Sequence, residues 1–372
     1  MRTWLAMAAP YPAPRHGQGP GPGRGPAPCA RLSSGHHRPR PARDPLRGDP
    51  PRTTAAATDV VPVLDLGAWC QGAPGADAEL ATQLRRALEQ VGFFFVVNHP
   101  IEWSLVEDVY REAARLHALP LEAKEAIPMS ADKGGYLRLG GGTSYASAIA
   151  GEVRKPNLNA AFFVHRNGYR AGNQWPPLDG FQPTIGRYLD AMAAFTRSLL
   201  PLYARSLELD ADHFEPFFRA PSMTLRLSHY PVLEHDADEW GLAPHTDSTF
   251  MTLLPANDVP GLWIRPEGMD WIEPPALARS FLVNSGDILR RWTNDRFLST
   301  AHRVRNTAGT DRYAMPFFFG ADDDALIEAL PTCVSAERPA RYEPITNGDY
   351  QRWFLNRNYA GYTGTEAGAT AP

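Results

Sequence analysis

Pro244-His245-Thr246-Asp247 puts an imidazole and a carboxylate two positions apart. Along an extended chain, residues i and i+2 point to the same face. The two side chains can therefore aim at one point from backbone positions about 6–7 Å apart. His302, in Ser299-Thr300-Ala301-His302-Arg303-Val304, is the candidate third donor and again sits at a strand. Two imidazoles and one carboxylate on one face of a metal leave the opposite positions open, the arrangement in which Fe(II) receives a cosubstrate and O2. The same donors also suit zinc, and the plain alternative for His302 is a core or capping histidine.

Ten residues beyond His302 stands Arg312, opening the apolar run Tyr313-Ala314-Met315-Pro316-Phe317-Phe318-Phe319. An arginine there is costly to bury without a partner. Its guanidinium matches a carboxylate in bidentate fashion, so Arg312 is a candidate clamp for the far end of a dicarboxylate. An ion pair with Asp311 is the alternative. Tyr230 could donate a hydrogen bond to the same carboxylate or be a core tyrosine.

These residues need strands to hold them. After Pro221, Met223, Leu225 and Leu227 alternate with Thr224, Arg226 and Ser228, a period of two. Phe250 to Leu254, Gly261 to Ile264, Ser280 to Asn284, Thr300 to Val304 and Tyr313 to Phe319 read as further short strands, separated by Gly, Pro, Asn and Asp. Many short strands at near-regular spacing predict a sandwich, barrel or jelly roll. Upstream, Val61 to Leu66 and Phe93 to Val97 read as strands. Helical apolar spacing predicts helices from about Asp77 to Val91, Ser104 to Ala118 and Ile185 to Glu208, with a short one opened by Pro120. Gly134 to Gly142 reads as a flexible loop without the spacing of a phosphate loop. The predicted organisation is a tail over 1–58, a helical N-terminal part with edge strands over 59–220, a β core over 221–330 and a C-terminal segment over 331–372.

Of the 372 residues, 43% are hydrophobic and 21% charged, enough apolar material for a large core. Residues 1–58 carry nine Arg and two Asp, about +7; with a net charge of −4 for the chain, the remainder carries about −11. A mildly acidic body argues against a nucleic-acid partner. No stretch approaches the ~18 apolar residues of a membrane helix. Cys29, Cys70 and Cys333 are widely separated, which predicts free thiols in a reducing compartment. Twelve prolines and seven glycines in residues 1–58 predict a disordered tail, with an organelle-targeting segment as the lesser reading. The expectation is a cytoplasmic monomer acting on a small molecule.

The ordered set resembles one family. Val61-Pro62-Val63-Leu64-Asp65, Gly92-Phe93-Phe94-Phe95-Val96-Val97-Asn98-His99, Leu119-Pro120-Leu121-Glu122-Ala123-Lys124 and Asn173-Gln174-Trp175-Pro176 come first. His245/Asp247, Asn284-Ser285-Gly286-Asp287, His302-Arg303-Val304 and Arg312 follow, with 57 residues from His245 to His302 and 10 more to Arg312. Over about residues 61–359 the chain resembles the isopenicillin N synthase-like branch of the Fe(II)/2-oxoglutarate dioxygenases. The resemblance implies a distorted double-stranded β-helix, a cupin-like jelly roll, with flanking helices. It implies Fe(II) on His245, Asp247 and His302, and 2-oxoglutarate gripped by Arg312, with Tyr230 matching the tyrosine of the Asn-x-Tyr element. It also implies ascorbate as an accessory factor, O2 as co-reactant, and hydroxylation, desaturation or ring closure of a small metabolite, as in secondary metabolism, with release of succinate and CO2. Three positions depart from the family pattern: Ala314 for the usual Ser after the arginine, Ser228 for the Asn of Asn-x-Tyr, and Pro100 for the Gly of Asn-His-Gly. Ala314 bears on the cosubstrate, since a neutral hydroxyl contributes roughly 0.5–1.5 kcal/mol against about twice the strength from the charge-assisted arginine. An Fe(II) oxidase that does not use 2-oxoglutarate, a zinc hydrolase and a silent binding domain remain as alternatives at this point.

Overall fold

The computed structural model describes residues 60–143, 155–168, 172–234, 236 and 239–359. The tail over 1–58, Arg154, His235 and residues 144–150, which follow the glycine-rich stretch, lie outside them.

The strands are β1 (Val63–Asp65), β2 (Phe93–Val97), β3 (Lys133–Gly134), β4 (Tyr136–Leu137), β5 (Ala160–Arg166), β6 (Gly172–Asn173), β7 (Met223–Tyr230), β8 (Leu242–His245), β9 (Met251–Pro255), β10 (Leu262–Arg265), β11 (Phe281–Ser285), β12 (Ala301–Val304), β13 (Arg312–Ala314), β14 (Phe317–Phe319), β15 (Leu326–Ile327) and β16 (Ile345–Thr346). The helices are α1 (Gly67–Cys70), α2 (Ala76–Gln90), α3 (Trp103–His117), α4 (Leu121–Glu125), α5 (Phe181–Ser206), α6 (Asp287–Trp292) and α7 (Asn347–Asn358). None of the described helices is long and apolar enough to cross a membrane.

Two sheets face each other. The large one runs β1-β2-β11-β9-β14-β7-β5-β4, with β13 also on β7; the small one runs β10-β12-β8. This is the jelly roll that the strand pattern predicts. β2 explains how the layers meet. Phe94 and Val96 join the main core beneath the helices, while Phe93 and Phe95 pack with Ile264 of β10 and Leu282 of β11. A strand covered on both faces has no reason to alternate, hence the unbroken Phe93–Val97 run. On the outer side, α2 and α3 pack on α5. Leu80, Leu84 and Leu88 of α2 and Tyr188, Met192 and Phe195 of α5 are buried there. β2 and β5 lie in the same sheet as β7, β9 and β11, so residue 220 divides the chain by composition and not by layer.

Two expectations are corrected. The Gly134 to Gly142 loop is packed rather than free where described. A Cβ at Gly134 would lie 2.4 Å from the Phe163 carbonyl oxygen, and one at Gly135 2.6 Å from that of Ile127. Glycine is there for close backbone approach. The predicted strand Tyr313 to Phe319 is two strands, because Pro316 has no N–H to give the ladder. Pairing with β7 resumes in unchanged register, Ala314 opposite Ser228 and Phe317 opposite Leu225. Asp287 begins α6 and is buried.

Candidate metal centre

His245 ends β8 and His302 lies in β12, directly opposite it in antiparallel register, with ring centroids 4.2 Å apart. Asp247 lies just beyond β8. Its Oδ1 is 3.8 Å from His245 Nε2 and 3.5 Å from His302 Nε2. One donor atom from each residue lies within 4.8 Å of the others. The geometry thus brings all three predicted ligands to one point.

Each imidazole is oriented by its own strand. His245 Nδ1 lies 2.8 Å from the Ala243 carbonyl oxygen, and His302 Nδ1 3.2 Å from that of Thr300. A carbonyl only accepts, so Nδ1 carries the proton and the Nε2 lone pair faces the centre, the tautomer a metal needs. Asn284 Nδ2 donates to Asp247 Oδ2 at 2.8 Å, fixing the carboxylate with Oδ1 turned toward the histidines. The Asp287 backbone N–H donates to the Asp247 carbonyl at 2.7 Å. Gly286 admits this approach: a Cβ there would fall 2.1 Å from the Thr249 carbonyl oxygen. The Asp287 carboxylate accepts from Thr246 Oγ1 at 3.1 Å and Tyr350 OH at 3.2 Å, tying β8 to α7. Sequence reasoning singled out Asn284-Ser285-Gly286-Asp287 without giving Asn284 this work.

The charges agree with a cation site. Burial, then His302, drives the His245 pKa down to about 3, leaving a neutral ring. Burial opposes ionisation of Asp247, yet His302, His245 and Asn284 together hold its carboxyl well below the usual range. Burial also opposes charge on His302, and Asp247 outweighs it, raising that pKa. A buried anion flanked by the Nε2 atoms of two imidazoles fits a divalent metal.

Arg312, 2% exposed, pairs in register with Tyr230 of β7, and its guanidinium carbon stands 5.4 Å from the Tyr230 ring centre. Nε donates to the Val259 carbonyl at 3.1 Å. Nη1 is buried without a hydrogen-bond partner. Asp311, the alternative partner, instead meets His229 Nε2 at 2.9 Å. Among the described residues no carboxylate forms an ion pair with Arg312. An apolar cluster of Tyr230, Leu242, Val304 and Ala314 links the arginine end to the strands of the triad. A buried cation with an orphaned N–H at one end and a metal donor set at the other fits a dicarboxylate laid between them. Two of the departures from the family pattern face each other: Ser228 lies opposite Ala314, and Ser228 Oγ is buried without a partner. A hydroxyl lost from one strand thus has a counterpart on the other.

His99 is structural, packed against Phe281 and bonded to the Arg279 carbonyl. Lys155 pairs with Asp236 and Glu239, and Arg187 bonds Thr184 on α5. A cavity of about 110 Å³ is lined by Phe163, Arg226, Ser248, Phe318, Gln351 and Phe354 among others, Ser248 being the residue after Asp247.

Residues 221–321 match the 2OG-Fe(II) oxygenase superfamily, and residues 61–178 match the non-haem dioxygenase in morphine synthesis N-terminal family. The chain is 31% identical over 317 residues to 2-oxoglutarate-Fe(II) type oxidoreductase hxnY of Emericella nidulans, covering 80% of this chain and 90% of that protein. It is 28% identical over 312 residues to gibberellin 20 oxidase 1-B of Triticum aestivum, covering 80% and 82%. A full-length Neurospora crassa protein, solved in complex with alpha-KG and thymine, superposes with a TM-score of 0.72 at 25% identity, covering 81% of this chain and 97% of that one. The chain belongs to the 2OG-Fe(II) oxygenase superfamily, within its isopenicillin N synthase-like branch. It is an Fe(II)/2-oxoglutarate-dependent dioxygenase, which sets aside the oxidase without 2-oxoglutarate, the zinc hydrolase and the silent domain.

Proposed function

We propose that His245, Asp247 and His302 hold the Fe(II), and that Arg312 binds the distal carboxylate of 2-oxoglutarate above the Tyr230 ring. We further propose that the substrate is a small organic molecule that enters beside Asp247. The observation that carries this is the orphaned Nη1 of Arg312, deep in the fold, on the strand that follows β12. When bound, the metal and 2-oxoglutarate supply the oxidising chemistry, in which O2 and 2-oxoglutarate give succinate and CO2 as the substrate is hydroxylated, desaturated or cyclised. The protein supplies geometry. The Ala243 and Thr300 carbonyls orient the two imidazoles, Asn284 holds the Asp247 carboxylate, and Leu242, Val304 and Ala314 exclude water from the cosubstrate slot.

The test is succinate release, stimulated by pools of small organic molecules, from anaerobically purified protein reconstituted with Fe(II). Arg312→Gln removes a charge-assisted contact of roughly 1.5–3 kcal/mol, so the half-saturating 2-oxoglutarate concentration is expected to rise about 10- to 150-fold. An unchanged value refutes the Arg312 assignment. Full iron binding by His302→Ala refutes the metal assignment.

A further inference from the structure

Arg226 sits between Leu225 and Leu227 on β7, and those leucines point into the core beneath the helices. Its own side chain is therefore on the opposite face, shared with Ser228 and Tyr230. It is 6% exposed. Nη2 donates to Asn159 Oδ1 at 2.7 Å, and Asn159 in turn bonds the Gly241 carbonyl, so the guanidinium is held in place. Its carbon stands 5.4 Å from the centre of the Phe163 ring, the residue opposite it on β5. Neither an amide oxygen nor a ring face neutralises a full charge. Nε is buried with no hydrogen-bond partner, and among the described residues no carboxylate forms an ion pair with Arg226. An arginine so placed carries a desolvation penalty that only an anion offsets well.

Arg226 lines the 110 Å³ cavity together with Ser248 and Thr249, the two residues that follow Asp247 in the chain. The rest of this cavity is largely apolar, with Phe163, Phe318 and Phe354 in its wall. Charge at the loaded centre points the same way. A divalent metal, the Asp247 carboxylate, a 2-oxoglutarate dianion and Arg312 cancel one another. Arg226 stands outside that sum, and the cavity lining also holds the Asp323 carboxylate.

We infer that Arg226 is the residue that selects the substrate, and that the substrate is a small monocarboxylic acid with an apolar ring body. Its carboxylate sits on Arg226 and its body among Phe163, Phe318 and Phe354, which places the carbons beyond the carboxylate near the metal site. This deepens the reading above and rests on it. Asn159 and Phe163 are positioning residues for the guanidinium.

The test loads full-length protein anaerobically with Fe(II) and measures 2-oxoglutarate binding by calorimetry. Phenylacetate, cyclohexanecarboxylate and a panel of similar ring-bearing acids are then titrated beside their primary amides. At least one acid is expected to bind tenfold or more tighter than its amide. Arg226→Gln is expected to abolish that preference, and Arg226→Lys to retain part of it. Absence of 2-oxoglutarate binding overturns the reading above and this inference with it. Normal 2-oxoglutarate binding with no acid preferred, or a preference that survives Arg226→Gln, overturns this inference alone. The acid–amide comparison on the unaltered protein needs no variant, so it decides the matter even where a substitution impairs folding.

Discussion

Asn284 touches no candidate metal position, yet it sets where the Asp247 carboxylate points. Partners of this outer kind typically change metal affinity 10- to 100-fold when removed. Asn284→Ala is accordingly expected to weaken iron binding by about that factor, read by competition with a chelator, while the protein stays folded. Affinity equal to the unaltered protein's would mean that the carboxylate is held some other way. At this scale the sequence announced the triad and Arg312 through their types and intervals. It did not announce Asn284, whose role depends on a contact across 37 positions. Nor did it announce Arg226, which looked like one polar member of an alternating strand. The usual inference from such alternation is polar side out to water. Here the apolar side of β7 meets the helices and the polar side, through Thr224 and Arg226, lines a cavity.

The elements that carry these residues were legible where their apolar pattern is strong. α2, α3 and α5 were expected within a few residues of where they lie, as was β2. α7 was not, because Asn347–Asn358 is rich in polar residues and its apolar positions make no regular stripe. It is held by contacts the sequence does not display. Thr346 Oγ1 caps it by accepting from the Asp349 N–H, Gln351 bonds both the hydroxyl and the carbonyl of Ser248, and Tyr350 bonds Asp287. The junction of β11 and α6 is equally tight. Gly286→Ala would press a methyl to 2.1 Å from the Thr249 carbonyl, and backbone cannot swing away as a side-chain tip does. The expected result is a loss of about 1–3 kcal/mol of stability, with weaker metal binding because Asp247 shares that junction. Urea unfolding measures the first and chelator competition the second. A variant unchanged in both would show that the junction yields easily.

Outside the metal centre, the buried His117 ring and the half-buried His99 ring set an acid limit. Burial lowers the His99 pKa to about 4 and the His117 pKa to about 3, against backbone hydrogen bonds that oppose the shift. The unfolded chain protonates both rings as pH falls below about 6.5, while the folded state stays neutral there. Stability from these groups is therefore complete above pH 6.5 and declines as pH falls toward 4. The slope is about 1.4 kcal/mol per pH unit for each ring. Urea midpoints of metal-free protein between pH 7.5 and 4.5 should show this decline. His117→Gln, whose amide can still reach the Leu227 carbonyl, should make it shallower. An identical slope in the two proteins would remove His117 from the explanation.

The facing pair His245 and His302 belongs to strands that are 57 residues apart in the chain. An ion held by both is consequently a clasp on the fold as well as a centre for chemistry. Ligand that binds only the folded state adds stability by mass action, about 4 kcal/mol at a concentration a thousand times its dissociation constant. Chelator-treated protein is expected to melt lower than protein reloaded with Fe(II) under nitrogen, and to be cut sooner by protease between β8 and β12. The supply of iron would then govern how long the protein survives as well as how fast it turns over.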